Sequence, residues 1–297
     1  MSAPALTLAA ALLMACHAGS AHAGARSYTV YAAGDIAYCG KVAPARTGAA
    51  DTAQLVEMGL AATPHAAVLL LGDIVYQRAT AAEFRHCYDP TWGRFKARTL
   101  PAPGNHEYYT PGARGYFQYF GDAAGPGYYR VQLGAWQVFS LDSNLTGKAQ
   151  QTQLAWLARE LAAHPAPCTL AYWHHPLYSS GWHGSSANMR AAWQLLQDAG
   201  AEVVLSGHDH TYERFAAQDA HGRRDARGLR QFVVGTGGSY HTPFKWPLAH
   251  SEMRDNSRFG VLRLTLRERG YDWQFLEARY DGLPNGQAPD SGSAPCH

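Results

Sequence analysis

Residues 66–76 have the sequence Ala-Ala-Val-Leu-Leu-Leu-Gly-Asp-Ile-Val-Tyr, an apolar run that stops at Gly72 and Asp73. A short aliphatic run closed by turn-forming residues is typical of a buried β-strand. The same pattern of an apolar run ending in Gly, Asp, Asn or His recurs along the chain, in residues 28–33, 66–71, 99–103, 169–173, 201–205 and 231–234. The sequence therefore predicts six buried strands.

Helical patterns lie between several of these strands. Apolar residues recur on one face of segments 51–62, 150–163 and 187–199, which predicts three helices. Segments 128–142 and 259–279 instead predict β-hairpins. Because strands alternate with helices, we expect an α/β fold. We also expect one domain over residues 24–297, in which the Gly-, Pro- and Ser-rich residues 281–297 form a coil tail.

The composition excludes several classes of protein. The chain has 297 residues, of which 46% are hydrophobic and only 16% charged, so it is not a disordered chain. Its 25 basic and 23 acidic residues give a formal charge of +2, which argues against a nucleic-acid-binding protein. The 15 histidines are unusual in so weakly charged a chain, and they direct attention to metal binding or acid–base chemistry.

The N-terminus has the pattern of a signal peptide. An apolar stretch is followed by Ala21-His22-Ala23, which predicts a signal peptide over residues 1–23. A lipoprotein signal with Cys16 as the lipidated residue is the alternative. No later run approaches the length of about 18 apolar residues that a membrane span needs. We therefore expect a secreted or periplasmic protein without a membrane span.

The expected export predicts disulfide bonds. The mature chain would have four cysteines, and an even number in an oxidising compartment suggests two bridges. Three pairings are possible. We favour Cys39–Cys87, which flank early loops, and Cys168–Cys296, which would anchor the tail; free buried thiols are the alternative.

Metal-ligating residues follow five of the predicted strands. Loops at the carboxyl ends of strands converge on the site in open α/β sheets. The residues there are Asp35, Asp73 with Tyr76, Asn105-His106, His174, and His208 with His210. Hard oxygens combined with imidazoles suit iron, zinc or manganese. This set exceeds what one catalytic metal needs, so it favours two metals that share one carboxylate, an arrangement suited to displacement at phosphorus.

The ordered blocks around these residues resemble the calcineurin-like metallophosphoesterases, and within that group the purple acid phosphatases. The blocks are Gly34-Asp35, 72–76 (Gly-Asp-Ile-Val-Tyr), 104–107 (Gly-Asn-His-Glu), 174–178 (His-His-Pro-Leu-Tyr) and 207–214 (Gly-His-Asp-His-Thr-Tyr-Glu-Arg). The resemblance implies a four-layer α/β/β/α sandwich of two mixed sheets flanked by helices.

The closer resemblance depends on Tyr76. Most relatives in the wider superfamily carry Asp-x-His in the first block, whereas this chain has Asp35-Ile36-Ala37. Tyr76 follows Asp73 by three residues and is similar to the tyrosine ligand that replaces this histidine. The resemblance implies a Tyr76 phenolate on a ferric ion, which would acidify bound water and favour activity at acidic pH. Tyr38, which follows Asp35 by three residues, is expected in the pocket wall.

The resemblance also implies a ligand set and a reaction. Fe(III) would be held by Asp35, Asp73, Tyr76 and His210, and a second Fe, Zn or Mn ion by Asp73, Asn105, His174 and His208. The implied function is that of an acid phosphatase, in which a metal-bound hydroxide attacks a small phosphate monoester in line.

Several neighbouring residues receive predictions of their own. His106 would reach the phosphate or the leaving oxygen, and His183 is a second candidate for protonating the leaving group. His175 is expected to point away from the metals, because side chains alternate along a strand. Trp182 and Trp246 either line the substrate rim or pack in the interior.

Two alternatives to the phosphomonoesterase stay open. One is a phosphodiesterase or nucleotidase of the same superfamily with a pair of divalent metals. The other is a non-catalytic protein that binds metal or phosphate. The physiological substrate and the oligomeric state do not follow from the sequence.

Overall fold

The apolar runs form two large sheets in a computed structural model, which describes Met1 and residues 27–279 and 289–297. The strands are β1 (Tyr28–Ala33), β2 (Ala37–Tyr38), β3 (Ala66–Leu71), β4 (Val75–Tyr76), β5 (Thr99–Ala102), β6 (Tyr129–Leu133), β7 (Trp136–Ser140), β8 (Cys168–Tyr172), β9 (Val203–Ser206), β10 (Tyr212–Phe215), β11 (Arg230–Val234), β12 (Ser251–Asp255), β13 (Gly260–Arg267), β14 (Gly270–Glu277) and β15 (Asp290–Pro295). All six predicted strands and both predicted hairpins are confirmed within a few residues.

The α-helices alternate with the early strands, as predicted. They are α1 (Gly48–Ala62), α2 (Ala81–Glu83), α3 (Asn105–Tyr108), α4 (Arg114–Phe120), α5 (Gly147–Ala163) and α6 (Arg190–Asp198). Shorter helical turns cover Pro44–Arg46, Phe84–Tyr88, Trp92–Arg98, Pro111–Ala113, Gly121–Ala124 and Ala187–Met189. The predicted helix over 187–199 is thus a single turn that continues as α6.

Both large sheets are mixed. The first has the order β15-β14-β13-β1-β3-β5, in which β1, β3 and β5 are parallel and β13 runs antiparallel to β1. The second has the order β12-β10-β11-β9-β8-β7-β6, in which β7, β8, β9 and β11 are parallel. Parallel strands in the middle of each sheet place several carboxyl ends side by side along one edge.

The two sheets pack on each other and are covered by helices. Successive residues of β8 point to opposite faces: Leu170 joins the cluster shared with Val30 of the first sheet, whereas Ala171 joins the cluster around Trp193 of α6. On the first sheet, α1 packs so closely that a Cβ added to Gly59 would lie 2.4 Å from Cζ of Tyr31. The predicted four-layer sandwich is confirmed. None of the helices within residues 27–279 and 289–297 combines the length and the hydropathy that a transmembrane segment requires.

The predicted coil tail is wrong for its last residues. Asp290–Pro295 form β15, which pairs antiparallel with β14 from Gly270 to Phe275. Backbone hydrogen bonds to the edge strand β14 stabilise this strand, although its Ser- and Gly-rich composition does not favour a β-strand. The predicted signal peptide lies, apart from Met1, outside the described residues, as do residues 280–288 of the tail.

Both predicted disulfides are confirmed. Cys39 is bonded to Cys87 and Cys168 to Cys296, with Cα–Cα distances of 5.5 and 5.7 Å. The second bridge ties the end of β15 to the first residue of β8, so it joins the two sheets.

Removal of the Cys168–Cys296 bridge tests this anchoring. We expect Cys168→Ala/Cys296→Ala to lower the free energy of unfolding by about 2–5 kcal/mol, because the bridge closes a loop of 128 residues in the unfolded chain. Urea denaturation measures the change, and the Cys39→Ala/Cys87→Ala variant, whose loop is 48 residues, should lose less. An unchanged midpoint in the first variant would contradict the prediction.

Candidate metal centre

The carboxyl ends of the parallel strands of both sheets meet at one edge. Asp35 follows β1, Asp73 follows β3, and Asn105 follows β5; His174 and His208 follow β8 and β9. Backbone bonds join the two sheets there, since Gly34 N donates to Val234 O (2.9 Å) and Gly237 N to Gly34 O (2.9 Å). The fold thus brings residues that are distant in sequence to one place.

Three of these side chains stand on strained backbone. Asp35, Asp73 and His208 have φ values of 60°, 47° and 73°, in the left-handed region that non-glycine residues rarely adopt. Neighbouring glycines make room for them: a Cβ on Gly104 would lie 2.2 Å from Asp73 Oδ1. Such strain persists only where the surrounding structure enforces it, and it concentrates at functional sites.

One half of the site consists of Asp35, Tyr76 and His210. The Tyr76 hydroxyl lies 2.8 Å from Asp35 Oδ1 and 3.0 Å from His210 Nε2, and His210 Nε2 lies 3.2 Å from Asp35 Oδ1. The other ring nitrogen of His210, Nδ1, lies 2.9 Å from the carbonyl of Tyr240. That contact fixes the ring so that Nε2 faces the carboxylate.

The other half consists of Asn105, His174 and His208. His174 Nε2 lies 3.1 Å from Asn105 Oδ1 and 3.2 Å from His208 Nδ1. Asp73 stands between the halves, because its Oδ2 is 3.3 Å from the Tyr76 hydroxyl and 3.2 Å from His174 Nε2. All seven residues predicted as ligands are therefore brought together in one continuous cluster.

The local field favours positive charge between the two buried carboxylates. Burial alone would raise the pKa of Asp73, but the charge and hydrogen bond of His174 hold it below its usual value. Burial lowers the pKa of His174, yet Asp73 and Asp35 outweigh that effect and raise it to about 9. Burial, with Asp35 and Asp73, raises the pKa of Tyr76. A donor set of two carboxylates, a phenol, an amide and three imidazoles fits two hard or borderline cations better than one.

Residues 28–212 match the family model described as calcineurin-like phosphoesterase. The match covers more than half of the chain. The chain belongs to the calcineurin-like phosphoesterase family.

Purple acid phosphatases are prominent among the relatives of this phosphoesterase. It is 25% identical to purple acid phosphatase 15 of Arabidopsis thaliana over 58% of this chain and 40% of that protein. It is 32% identical to purple acid phosphatase 22 of the same plant over 48% of this chain and 33% of that protein. The chain spans less than half the length of these curated relatives.

The fold is also similar to that of a solved purple acid phosphatase. Purple acid phosphatase PPD1 from yellow lupin (Lupinus luteus) seeds matches 92% of this chain and 54% of its own, with a TM-score of 0.69 and 19% identity. At that identity the likeness concerns the fold. Calcineurin-like phosphoesterases use a dinuclear metal site, and this phosphoesterase has candidate ligand groups for one.

Both histidines predicted to act in catalysis border the cluster. The ring of His106 packs on Tyr76 at 4.3 Å, and its Nδ1 lies 2.7 Å from the carbonyl of Gln77, which leaves Nε2 toward Asp73 at 3.9 Å. The exposed ring of His183 lies 4.7 Å from that of His208. The carboxylate of Asp209 holds the loop, since it accepts from the backbone N–H of His183 (2.7 Å).

The expectation that His175 points away is wrong. Its ring lies 4.4 Å from the ring of His208, and one nitrogen each of His174, His175 and His208 fall within 4.8 Å of one another. The reason is that β8 ends at Tyr172, so the alternation of side chains along a strand no longer applies at residue 175. Ser143 fixes this ring, with Oγ 2.8 Å from His175 Nδ1.

Glu107 is a residue of the site to which the sequence analysis assigned no role. It is fully buried, and its carboxylate accepts from the backbone N–H groups of Gly104 (2.6 Å), Asp73 (2.9 Å) and Ile74 (3.0 Å). Burial and the charge of Asp73 raise its pKa to about 8. Glu107 therefore joins the loops after β3 and β5, and only its place in the block 104–107 could have drawn attention to it.

The Asn105 amide has its orientation fixed by Tyr109. The two residues are an i,i+4 pair, and Asn105 Nδ2 donates to the Tyr109 hydroxyl at 3.1 Å while Oδ1 faces His174. A neutral amide can bind a cation only through its oxygen, because its NH₂ group carries partial positive charge. Tyr109 thus turns the amide to the side that a metal ligand requires.

A double-mutant cycle tests this orientation. We expect Tyr109→Phe to weaken binding of a divalent ion to the half of the site that contains Asn105 by about 10-fold. This is the lower end of the effect that loss of such a supporting hydrogen bond causes. In an Asn105→Asp background the same substitution should have no effect, because either carboxylate oxygen can face the cation. Calorimetric titration of Zn²⁺ into protein stripped of metal gives both affinities. Equal losses in the two backgrounds would refute the orienting role.

Proposed function

We propose that this phosphoesterase is an exported binuclear-metal phosphomonoesterase of the purple acid phosphatase type. The observation that carries the proposal is the position of the Tyr76 hydroxyl, 2.8 Å from Asp35 and 3.0 Å from His210. Ala37 offers no ligand atom where most of the superfamily has a histidine, so Tyr76 is the group that completes this half of the site.

The proposed ligand sets follow from the two halves. Fe(III) is assigned to Asp35, Asp73, Tyr76 and His210, because a trivalent ion favours an anionic phenolate. Fe, Zn or Mn is assigned to Asp73, Asn105, His174 and His208. When bound, such a pair supplies Lewis acidity that polarises the phosphoryl oxygens and lowers the pKa of water.

The surrounding side chains supply proton transfer and orientation. His106 presents Nε2 to the site because its Nδ1 is engaged by the Gln77 carbonyl, and this nitrogen is assigned to the phosphate or the leaving oxygen. His183 borders the site from the opposite loop and is assigned as the second candidate proton donor. Export is supported by the two disulfides, which persist in oxidising compartments.

Metal analysis and a visible spectrum of the natively exported protein test the ferric assignment. We expect two metals per chain, at least one of them iron, and a visible absorption band from phenolate-to-iron charge transfer. Tyr76→Phe should remove the band, since no phenolate then reaches the iron. Tyr38→Phe is the matched control, because Tyr38 follows Asp35 as Tyr76 follows Asp73, and this variant should keep its colour.

Turnover of p-nitrophenyl phosphate tests the phosphomonoesterase itself. The Asn105→Ala and His208→Ala variants should retain less than about one-hundredth of the activity, comparable to removal of a group that stabilises the transition state directly. Colourless, iron-free protein that prefers diesters would instead favour a phosphodiesterase with divalent metals. Protein that binds both metals without turnover would indicate a non-catalytic binder.

A further inference from the structure

Exposed aromatic side chains are concentrated around the metal centre. In the described residues the exposed Tyr and Trp side chains are Tyr38, Tyr109, Trp182, Tyr240 and Trp246. Tyr109 is accounted for by its bond to Asn105. Of the other four, Tyr38 in β2 and Tyr240 contact rings of the candidate ligands. Trp182 precedes His183, and Trp246 follows Lys245, whose Nζ lies over the Trp182 ring. Exposed apolar surface gathered in one place marks a binding site, whereas single exposed residues need no explanation.

Tyr38 and Tyr240 border the half of the site that contains His210. The ring of Tyr240 lies 4.1 Å from that of His210 and 6.1 Å from that of Tyr76. Tyr38 lies 6.3 Å from both Tyr76 and Tyr240, and it meets Tyr240 edge to face. About two-fifths of each of these two side chains is exposed, 41% for Tyr38 and 43% for Tyr240. Their exposed surfaces therefore lie next to the half of the site that contains Tyr76 and His210.

Trp182 borders the side that contains His183, its neighbour in sequence. Half of the Trp182 side chain is exposed, and the Lys245 Nζ lies 4.5 Å from the ring centroid. Trp246 follows Lys245 and is 80% exposed. The loop from Tyr240 to Trp246 thus connects the two aromatic borders and places the Lys245 ammonium over the Trp182 ring.

The loops that present these rings are held in place by buried carboxylates. Asp209 accepts from the N–H of His183, and Glu213 accepts from the N–H of Ser180 at 2.9 Å. The second loop is joined to the first, because Lys245 N donates to Ser180 O (2.9 Å) and Leu248 N to Ser180 Oγ (2.9 Å). Because the backbone of these loops is already fixed, little conformational entropy of the loops is lost when a ligand binds.

We propose that Tyr38, Tyr240 and Trp182 form the subsite for the leaving group, and that this subsite takes a planar aromatic group. The inference rests on the proposed function, since a phosphoryl group at the metal centre leaves its ester substituent facing these rings. Aromatic faces bind planar rings by stacking, and they do so for any base or aryl group. The substrate class is therefore aryl phosphates or nucleoside monophosphates.

Two substrate pairs measure the contribution of the ring with little change at the reacting bond. 5′-AMP and ribose 5-phosphate both release a primary alkoxide but differ in the base, and 1-naphthyl and phenyl phosphate differ in the size of the aryl group. We expect kcat/KM to be about 10-fold higher for the larger member of at least one pair, as stacking of one ring predicts. A higher kcat/KM for 5′-AMP than for ribose 5-phosphate identifies nucleotides as the substrate class. A higher value for 1-naphthyl phosphate alone identifies aryl phosphates.

Variants assign the gain to the rings. Tyr240→Ala and Trp182→Ala should bring the ratio of the kcat/KM values for 5′-AMP and ribose 5-phosphate toward one, mainly by raising KM for 5′-AMP, and Tyr240→Phe should keep the ratio. Met58→Ala, which removes an exposed apolar side chain of α1, is the matched control and should change nothing. If the unsubstituted enzyme hydrolyses ribose 5-phosphate but both kcat/KM ratios are near one, the aromatic subsite is refuted. The phosphomonoesterase activity would still be supported.

A binding measurement keeps the subsite testable if no monoester is hydrolysed. Adenosine should then quench the tryptophan fluorescence of the metal-loaded protein, and ribose should not. Trp182→Ala should weaken the apparent adenosine affinity about 10-fold. Equal and negligible effects of adenosine and ribose would refute the aromatic subsite independently of catalysis.

Discussion

The structure around the site depends on two carboxylates that are buried at the ends of neighbouring parallel strands. Asp35 is 0% and Asp73 is 2% exposed. In the described part of the chain, their ion-pair partners are the histidines His106, His174 and His210. Two buried negative charges are costly unless cations or hydrogen bonds compensate them. The left-handed turns, the close glycines and the gathered imidazoles are all explained by the need to hold these carboxylates together.

A second set of buried carboxylates holds the loops on which the site is built. Glu107 joins the loops after β3 and β5, Asp209 holds the loop of His183, and Glu213 holds Ser180. Each accepts from backbone N–H groups of a loop that lacks regular secondary structure. These acceptors replace the hydrogen bonds that a helix or sheet would supply, so the ligands stand on irregular backbone that is still fixed.

The sequence predicted the strands and the seven clustered residues because each has a local signal, and the disulfides because four cysteines allow only three pairings. An apolar run that stops at Gly72-Asp73 marks both a strand and its functional end. The sequence-based prediction was wrong where the conformation of a segment depends on a partner that is distant in sequence. Nothing in the Ser- and Gly-rich residues 290–295 announces pairing with β14, and His175 faces the site because β8 ends before it. The roles of Glu107 and Tyr109 likewise appear only once β3, β5 and α3 are side by side.

Anomalous X-ray diffraction from crystals of the protein purified without added metal decides whether two cations share Asp73. Data collected at the iron edge, with a second set at the zinc or manganese edge, locate each cation without reference to activity. We expect two peaks about 3.5–4 Å apart with Asp73 between them, the iron peak being the one beside Tyr76. A single peak, or a metal held by His174, His175 and His208 with none beside Asp35 and Tyr76, would contradict this expectation.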